Sequence, residues 1–152
     1  MVVRRARPDE AGLLTGLAMR SKASWGYSPE FMAACEAELT ITAETIAAWT
    51  IWVAEADGRV CGMVALREGP DAGSAELEDF FVEPDAQGRG VGSALMARLL
   101  ETCRARGVVT LGLDADPNAE PIYHRFGFLT VGRSPSGSIP GRWLPRMERR
   151  LR

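Results

Sequence analysis

The stretch Gln87-Gly88-Arg89-Gly90-Val91-Gly92 constrains this chain more than any other, because it joins an apolar run, Leu77 to Val82, to a helix-like one, Val91 to Arg106. Strand, glycine turn and helix in that order build an anion site. The first N–H groups of a helix have no intrahelical partner and the macrodipole adds partial positive charge there, so main chain alone can hold a phosphate. Glycine opens access to those groups and permits backbone angles that other residues resist. Arg89 adds a cation for a charge-assisted contact. A nucleotide-triphosphate loop needs Lys and then Ser or Thr after its last glycine, whereas Ser93 and Ala94 follow Gly92 and the only lysine is Lys22. The dinucleotide fingerprint Gly-x-Gly-x-x-Gly is met only in part, by Gly88, Gly90 and Ser93, with Asp114 near its acidic position. Against it, about eighty residues that read as helices and a hairpin precede the turn, and that fold usually opens with the strand that enters the glycines.

Gln-x-x-Gly-x-Gly at Gln87, Gly90 and Gly92, preceded by Phe80-Phe81-Val82-Glu83-Pro84, resembles the acetyl-CoA-binding motif of the GNAT superfamily of N-acetyltransferases. Downstream, Asp116-Pro117-Asn118-Ala119-Glu120-Pro121-Ile122-Tyr123 and Phe126-Gly127-Phe128 are similar to that family's segment in which an Asn and a Tyr flank a short helix before a Gly-Phe strand. The close resemblance runs from about Glu76 to Gly132. It implies an α/β (α+β) fold, a mixed, mainly antiparallel sheet with a central splayed parallel pair flanked by helices.

At 152 residues the chain fits one domain. Hydrophobic residues make up 46% and charged residues 25%, as in ordinary globular proteins. No apolar run approaches the ~18 residues of a membrane span, and Met1-Val2-Val3-Arg4-Arg5 does not read as a secretory signal. A cytoplasmic address is expected. A formal charge of −2 with no basic block lacks the footprint of a nucleic-acid binder. Cys35, Cys61 and Cys103 are odd in number, widely spaced and set in apolar sequence, which reads as reduced, buried thiols. No zinc-ligand spacing exists and His124 is the only histidine, so no metal is expected.

Taken in order, Val2 to Arg5 reads as a short strand, and Pro8-Asp9-Glu10 starts a helix that lasts to about Ser21. Trp25-Gly26-Tyr27-Ser28-Pro29 is a turn before a second helix through Ala37, and a helical turn spans Ala43 to Trp49. Thr50 to Glu55, Asp57-Gly58 and Val60 to Leu66 form a hairpin, and Glu76 to Val82 completes a meander. The strand Val108 to Leu113 follows a helix and should run parallel to its predecessor. Ala119 to Arg125 reads as a short helix, Phe128 to Val131 and Trp143 to Glu148 as strands, with a loop over Ser134 to Gly141 between them. Trp49 and Trp52 are expected in the core.

The resemblance places the pantetheine arm along Phe80, Phe81 and Val82, the pyrophosphate on the turn from Gln87 to Gly92, and Asn118 against the cofactor arm. Asn118 also reads as a helix cap. Acetyl transfer needs a neutral amine, yet a lysine-like amine with pKa of about 10 is protonated at neutral pH. A base is required. Glu78, directly or through water, and then Glu76 are the candidates; strict alternation puts them on one strand face and Asp79 on the other unless a bulge intervenes. Main-chain N–H groups of the splayed strand would meet the developing oxyanion. Tyr123 matches the family's general-acid tyrosine and would protonate the leaving thiolate; it also reads as a core aromatic. Trp25 and Tyr27 are either acceptor walls or a staple between helices, and Arg142 is either a surface arginine or the partner of an acceptor carboxylate. The leading expectation is an acetyl-CoA-dependent N-acetyltransferase acting directly on a primary amine of a small molecule. A non-catalytic acyl-CoA sensor or interaction module stands beside it, and pairing into a homodimer is implied by resemblance alone.

Overall fold

A computed structural model describes residues 1–151. The meander is the scaffold: β2 (Thr50–Ala56), β3 (Arg59–Glu68) and β4 (Ser74–Val82) run antiparallel, with β1 (Val2–Arg5) added outside β2. The β2–β3 turn works because Asp57 and Gly58 both take positive φ, 53° and 75°, as a tight hairpin of matching twist requires. Helix α4 (Val91–Ala105) then crosses over to β5 (Thr110–Asp114), which pairs parallel to β4. The seven strands lie in the order β1-β2-β3-β4-β5-β7-β6, so β7 (Trp143–Arg150) inserts between β5 and β6 (Leu129–Pro135). The sheet is therefore mainly antiparallel, with one parallel pair at its centre, as the sequence implied.

Helices cover both faces. On one, α4 buries Val91, Leu95, Met96, Leu99, Leu100 and Cys103 against Val64, Leu66, Leu77 and Leu111, a row-and-neighbour pattern that only a helix period aligns. Each such side chain contributes about 1.5–3 kcal/mol through burial. The short helix α5 (Glu120–Arg125) packs Tyr123 on the same cluster. On the other face, α1 (Ala11–Ala23) and α3 (Ala43–Ala48) cover Ile51, Val53 and Met63 with Leu14, Leu17 and Ile46. Helix α2 (Pro29–Leu39) joins α1 through Ala18, Met32 and Cys35, starting where the Ser28 hydroxyl accepts from the Phe31 N–H. All three cysteines are free and buried.

The end of β6 and the placement of two tryptophans differ from the sequence reading. Strand β6 continues through Ser134 and Pro135, because Ser134 pairs with Leu144 and Pro135 with Trp143, so the loop to β7 starts later than its proline suggests. A proline is tolerated there because β6 is an edge strand. Trp49, expected in the core, packs against it with one side and lines the central cleft with the other. Trp52 is core-like but capped: Arg98 lies 4.7 Å and Arg5 5.6 Å over its ring, and its Nε1 donates to the Thr102 hydroxyl at 3.0 Å.

Candidate active site

The parallel pairing of β4 and β5 stops early. Ser74, Ala75 and Glu76 pair with Thr110, Leu111 and Gly112, and no ladder joins the two strands from Leu77 onward. Arg146 of β7 marks the place where they part. It donates two hydrogen bonds to Glu76, at 2.8 and 2.5 Å, lies 3.5 Å from Asp114, and occupies the space a Cβ on Gly112 would need. Beyond it the edge of β4 faces a cleft of about 950 Å³ lined by β4, the glycine turn, α5, α1 and the β6–β7 loop.

The floor of the cleft on one side is the turn. Gly88 and Gly90 have φ of 78° and 81°, left-handed values that favour glycine, and a Cβ on either would meet nothing within 4 Å, so the approach from solvent is open. Gly90 occupies the N-cap of α4 and no side chain caps that end, which leaves the first helical N–H groups for an incoming anion. Gln87, Gly88, Gly90, Val91, Gly92 and Ser93 line the cleft. The Arg89 side chain is exposed outside it. The segment before the turn is anchored from below: buried Glu83 accepts two hydrogen bonds from Arg20 of α1, at 2.9 and 2.8 Å.

Phe80, Phe81 and Val82 line the cleft, and so does Tyr123, whose hydroxyl has no hydrogen-bond partner among the described residues. The Tyr123 ring is packed by Phe80 and Phe128 at 6.0 and 5.7 Å. Burial, then the nearby Asp79, hold its phenol well above the ordinary tyrosine range, so it remains protonated.

The acids rearrange relative to strict alternation. Leu66 pairs with Leu77 but Ala65 pairs with Asp79, so Glu78 is the extra residue of a β-bulge. Leu77 and Phe80 consequently share the α4 face, three residues apart, while Asp79 shares the opposite face with Ala65. This is the bulge that the alternation reading left open. Glu78 and Asp79 both line the cleft; Glu76 does not. Glu78 is paired with Arg67, whose Nε donates at 2.8 Å, and Glu76 is held by Arg146. Asp79, 9% exposed, has neither a hydrogen bond nor an ion pair among the described residues. Its burial, with the negative charge of Glu78 beside it, pushes its pKa up to about 7.

Trp25, Lys22 and Arg142 line the cleft as well. Tyr27 and Asn118 do not line it; they bond each other instead. The Tyr27 hydroxyl donates to Asp116 at 2.8 Å and accepts from Asn118 Nδ2 at 2.9 Å and from Arg142 Nη2 at 2.7 Å. Burial raises the Asp116 carboxyl, but the Asn118 N–H, the Tyr27 hydroxyl and Lys22 outweigh it and hold the group below the usual carboxylate range. The pairing of Lys22 with Asp116 had no signal in the sequence, since the two lie 94 positions apart. Among the described residues no cluster of possible ligands could hold a metal, and no helix is long and apolar enough to cross a membrane.

A cleft at a splayed parallel pair, floored by an uncapped helix start, is matched by family: residues 19–128 fit the profile of the Acetyltransferase (GNAT) family. The chain belongs to the GNAT acetyltransferases. Among GNAT relatives, the 5-NmdU N-acetyltransferase of Pseudomonas phage PaMx11 is 30% identical over 137 residues, 90% of this chain and 93% of the phage protein. The L-amino acid N-acyltransferase MnaT of Escherichia coli is 31% identical over 109 residues, 67% of this chain and 63% of MnaT. Other GNAT relatives are longer: the chain spans 36% of the N-acetylaspartate synthetase of Danio rerio. In fold, the PaiA N-acetyltransferase of Thermoplasma acidophilum, solved in complex with coenzyme A, superposes with a TM-score of 0.79 at 19% identity, covering 98% of both chains.

Proposed function

We propose that this GNAT acetyltransferase moves an acetyl group from acetyl-CoA directly to the primary amine of a small molecule. The observation that carries this reading is the juxtaposition, in one cleft, of an uncapped glycine-rich helix start, an unpartnered buried acid and a protonated tyrosine. The residues fit coenzyme A: the N–H groups of the turn from Gln87 to Gly92 would hold its pyrophosphate, and the free edge of β4 at Phe80, Phe81 and Val82 would hydrogen-bond its arm. Bound acetyl-CoA supplies an activated acyl group and a thiolate leaving group. Asn118, committed to Tyr27 and outside the lining of the cleft, has no part in holding the arm in this reading.

Asp79 is the base in this reading. An acid with pKa near 7 is ionised in about half of molecules at neutral pH and can take the ammonium proton, directly or through water, which is the poise general-base catalysis favours. Glu78 lies next to it and keeps the site negative; Glu76, clamped by Arg146, maintains the splay. Tyr123 would return a proton to the departing sulfur. The N-acetylation carried out by the phage relative and the amino-acid N-acylation carried out by MnaT support an amine acceptor.

The test is release of free thiol from acetyl-CoA over a panel of small amines. Amine-dependent release with an N-acetylated product identified by mass spectrometry is expected. Saturable acetyl-CoA binding with no thiol release on any amine would instead support a sensor that keeps the cleft without the chemistry.

A further inference from the structure

The cleft is lined by charged groups of both signs, and not all of them have a part in the transfer chemistry. Lys22 of α1 and Arg142 of the β6–β7 loop both line the cleft, and they share one carboxylate: Lys22 Nζ lies 3.1 Å and Arg142 Nη2 3.7 Å from Asp116. Two cations against one acid leave one positive charge without a direct counter-ion. The three side chains are 15%, 18% and 13% exposed, and no fully buried side-chain nitrogen or oxygen among the described residues lacks a partner, so the unspent donors open onto the cleft. Donors are unmatched too. The Arg142 guanidinium spends one N–H on the Tyr27 hydroxyl and Lys22 spends one on Asp116, and the others have no partner among the described residues.

The cations are also held in place. The guanidinium lies 5.3 and 4.8 Å over the Tyr27 and Phe31 rings, which stack at 4.1 Å, and the Lys22 ammonium is 5.4 Å from the Tyr27 ring. The Tyr27 hydroxyl then ties the α1–α2 turn to Asp116, Asn118 and the β6–β7 loop. A planar guanidinium fixed on an aromatic stack with unspent donors is preorganised for a planar oxyanion. Asp79, nine-tenths buried and without a partner among the described residues, lines the same cleft.

We infer that the acceptor is zwitterionic, an amine that also carries a carboxylate, as amino acids do, with Lys22 and Arg142 binding the carboxylate while the nitrogen faces Asp79. This rests on the amine-acetylating reading and narrows it. A carboxylate beside Lys22 and Arg142 gives the two cations two acids; a simple amine or a diamine leaves the surplus charge unmatched and, in the second case, sets a cation against it. Glu38, exposed on the lip of the cleft against Gly137, disfavours a second acid on the acceptor.

The test is calorimetric titration of the protein saturated with coenzyme A, using matched pairs: each of a panel of L-amino acids beside its own decarboxylated amine, with 1,4-diaminobutane as a further ligand. The expected result is at least one amino acid bound about tenfold or more tightly than its amine, a preference that Arg142→Gln and, separately, Lys22→Gln reduce about tenfold. Acetyl-CoA affinity and the circular dichroism spectrum should be retained in at least one of the two variants. Amines or the diamine bound as tightly as any amino acid would overturn the proposal, as would equal weakening of both members of a pair, or binding of neither by folded protein. The readout needs no turnover, so the two readings separate: an intact carboxylate preference without transfer counts against the acetyltransferase chemistry alone, and transfer to amines without that preference counts against the anchor alone.

Discussion

Asp79 is a carboxyl group whose burial destabilises the fold wherever it is ionised. Its pKa in the folded chain, about 7, lies above the ordinary 3.8, so between those values the native state holds a proton that the unfolded chain has released. Stability from this group is therefore full below about pH 4 and falls as pH rises through 7, by at most about 4 kcal/mol. Asp79→Asn should raise the melting temperature at pH 8 more than at pH 5, while lowering turnover by about a hundredfold or more, a trade of stability for activity. The low-pH limb of kcat/KM near pH 7 should vanish in the same variant. Tyr123→Phe should lower kcat by about tenfold or more and leave acetyl-CoA affinity within about twofold, measured by steady-state kinetics beside calorimetry. Tyr123 was legible from its spacing to Gly127 and Phe128. Asp79 was not, because period-two alternation turns it away and the bulge at Glu78 that reverses this is set by pairing with β3, a contact that the β4 sequence alone does not contain.

Among the elements, α4 links the core to the phosphate turn, and one close approach sets its height over the sheet. A Cβ on Gly62 of β3 would lie 2.8 Å from Val91 Cγ1 and 2.9 Å from Leu95 Cδ1. Gly62→Ala should push the start of α4 outward, costing about 1–3 kcal/mol in denaturant unfolding and weakening acetyl-CoA binding at the same time. The helix, the meander and the parallel crossover could be read directly from the chain, since apolar period and turn residues agree there. The end of β6 could not: Pro135 signals a loop by itself, and only its place on a sheet edge lets the strand run through it.

Across the whole molecule, the cleft exists because β7 inserts beside β5 and brings Arg146 to the last paired rung, where Glu76 and Gly112 meet. Arg146→Met should narrow or disorder the splay, costing about 1–2 kcal/mol, since the pair is partly solvated, and raising KM for acetyl-CoA. The order of the last two strands and the wall made by Lys22, Tyr27, Asp116 and Arg142 lay beyond sequence reading, because residues up to 115 positions apart meet only after the sheet has closed. The central claim is that the glycine turn at the head of α4 carries acetyl-CoA, and calorimetric titration of the wild-type chain and of Gly90→Glu tests it most directly. Saturable wild-type binding, weakened at least about tenfold in a folded Gly90→Glu variant, is the expected result. No binding by folded wild-type protein, or equal binding by the variant, would contradict the account.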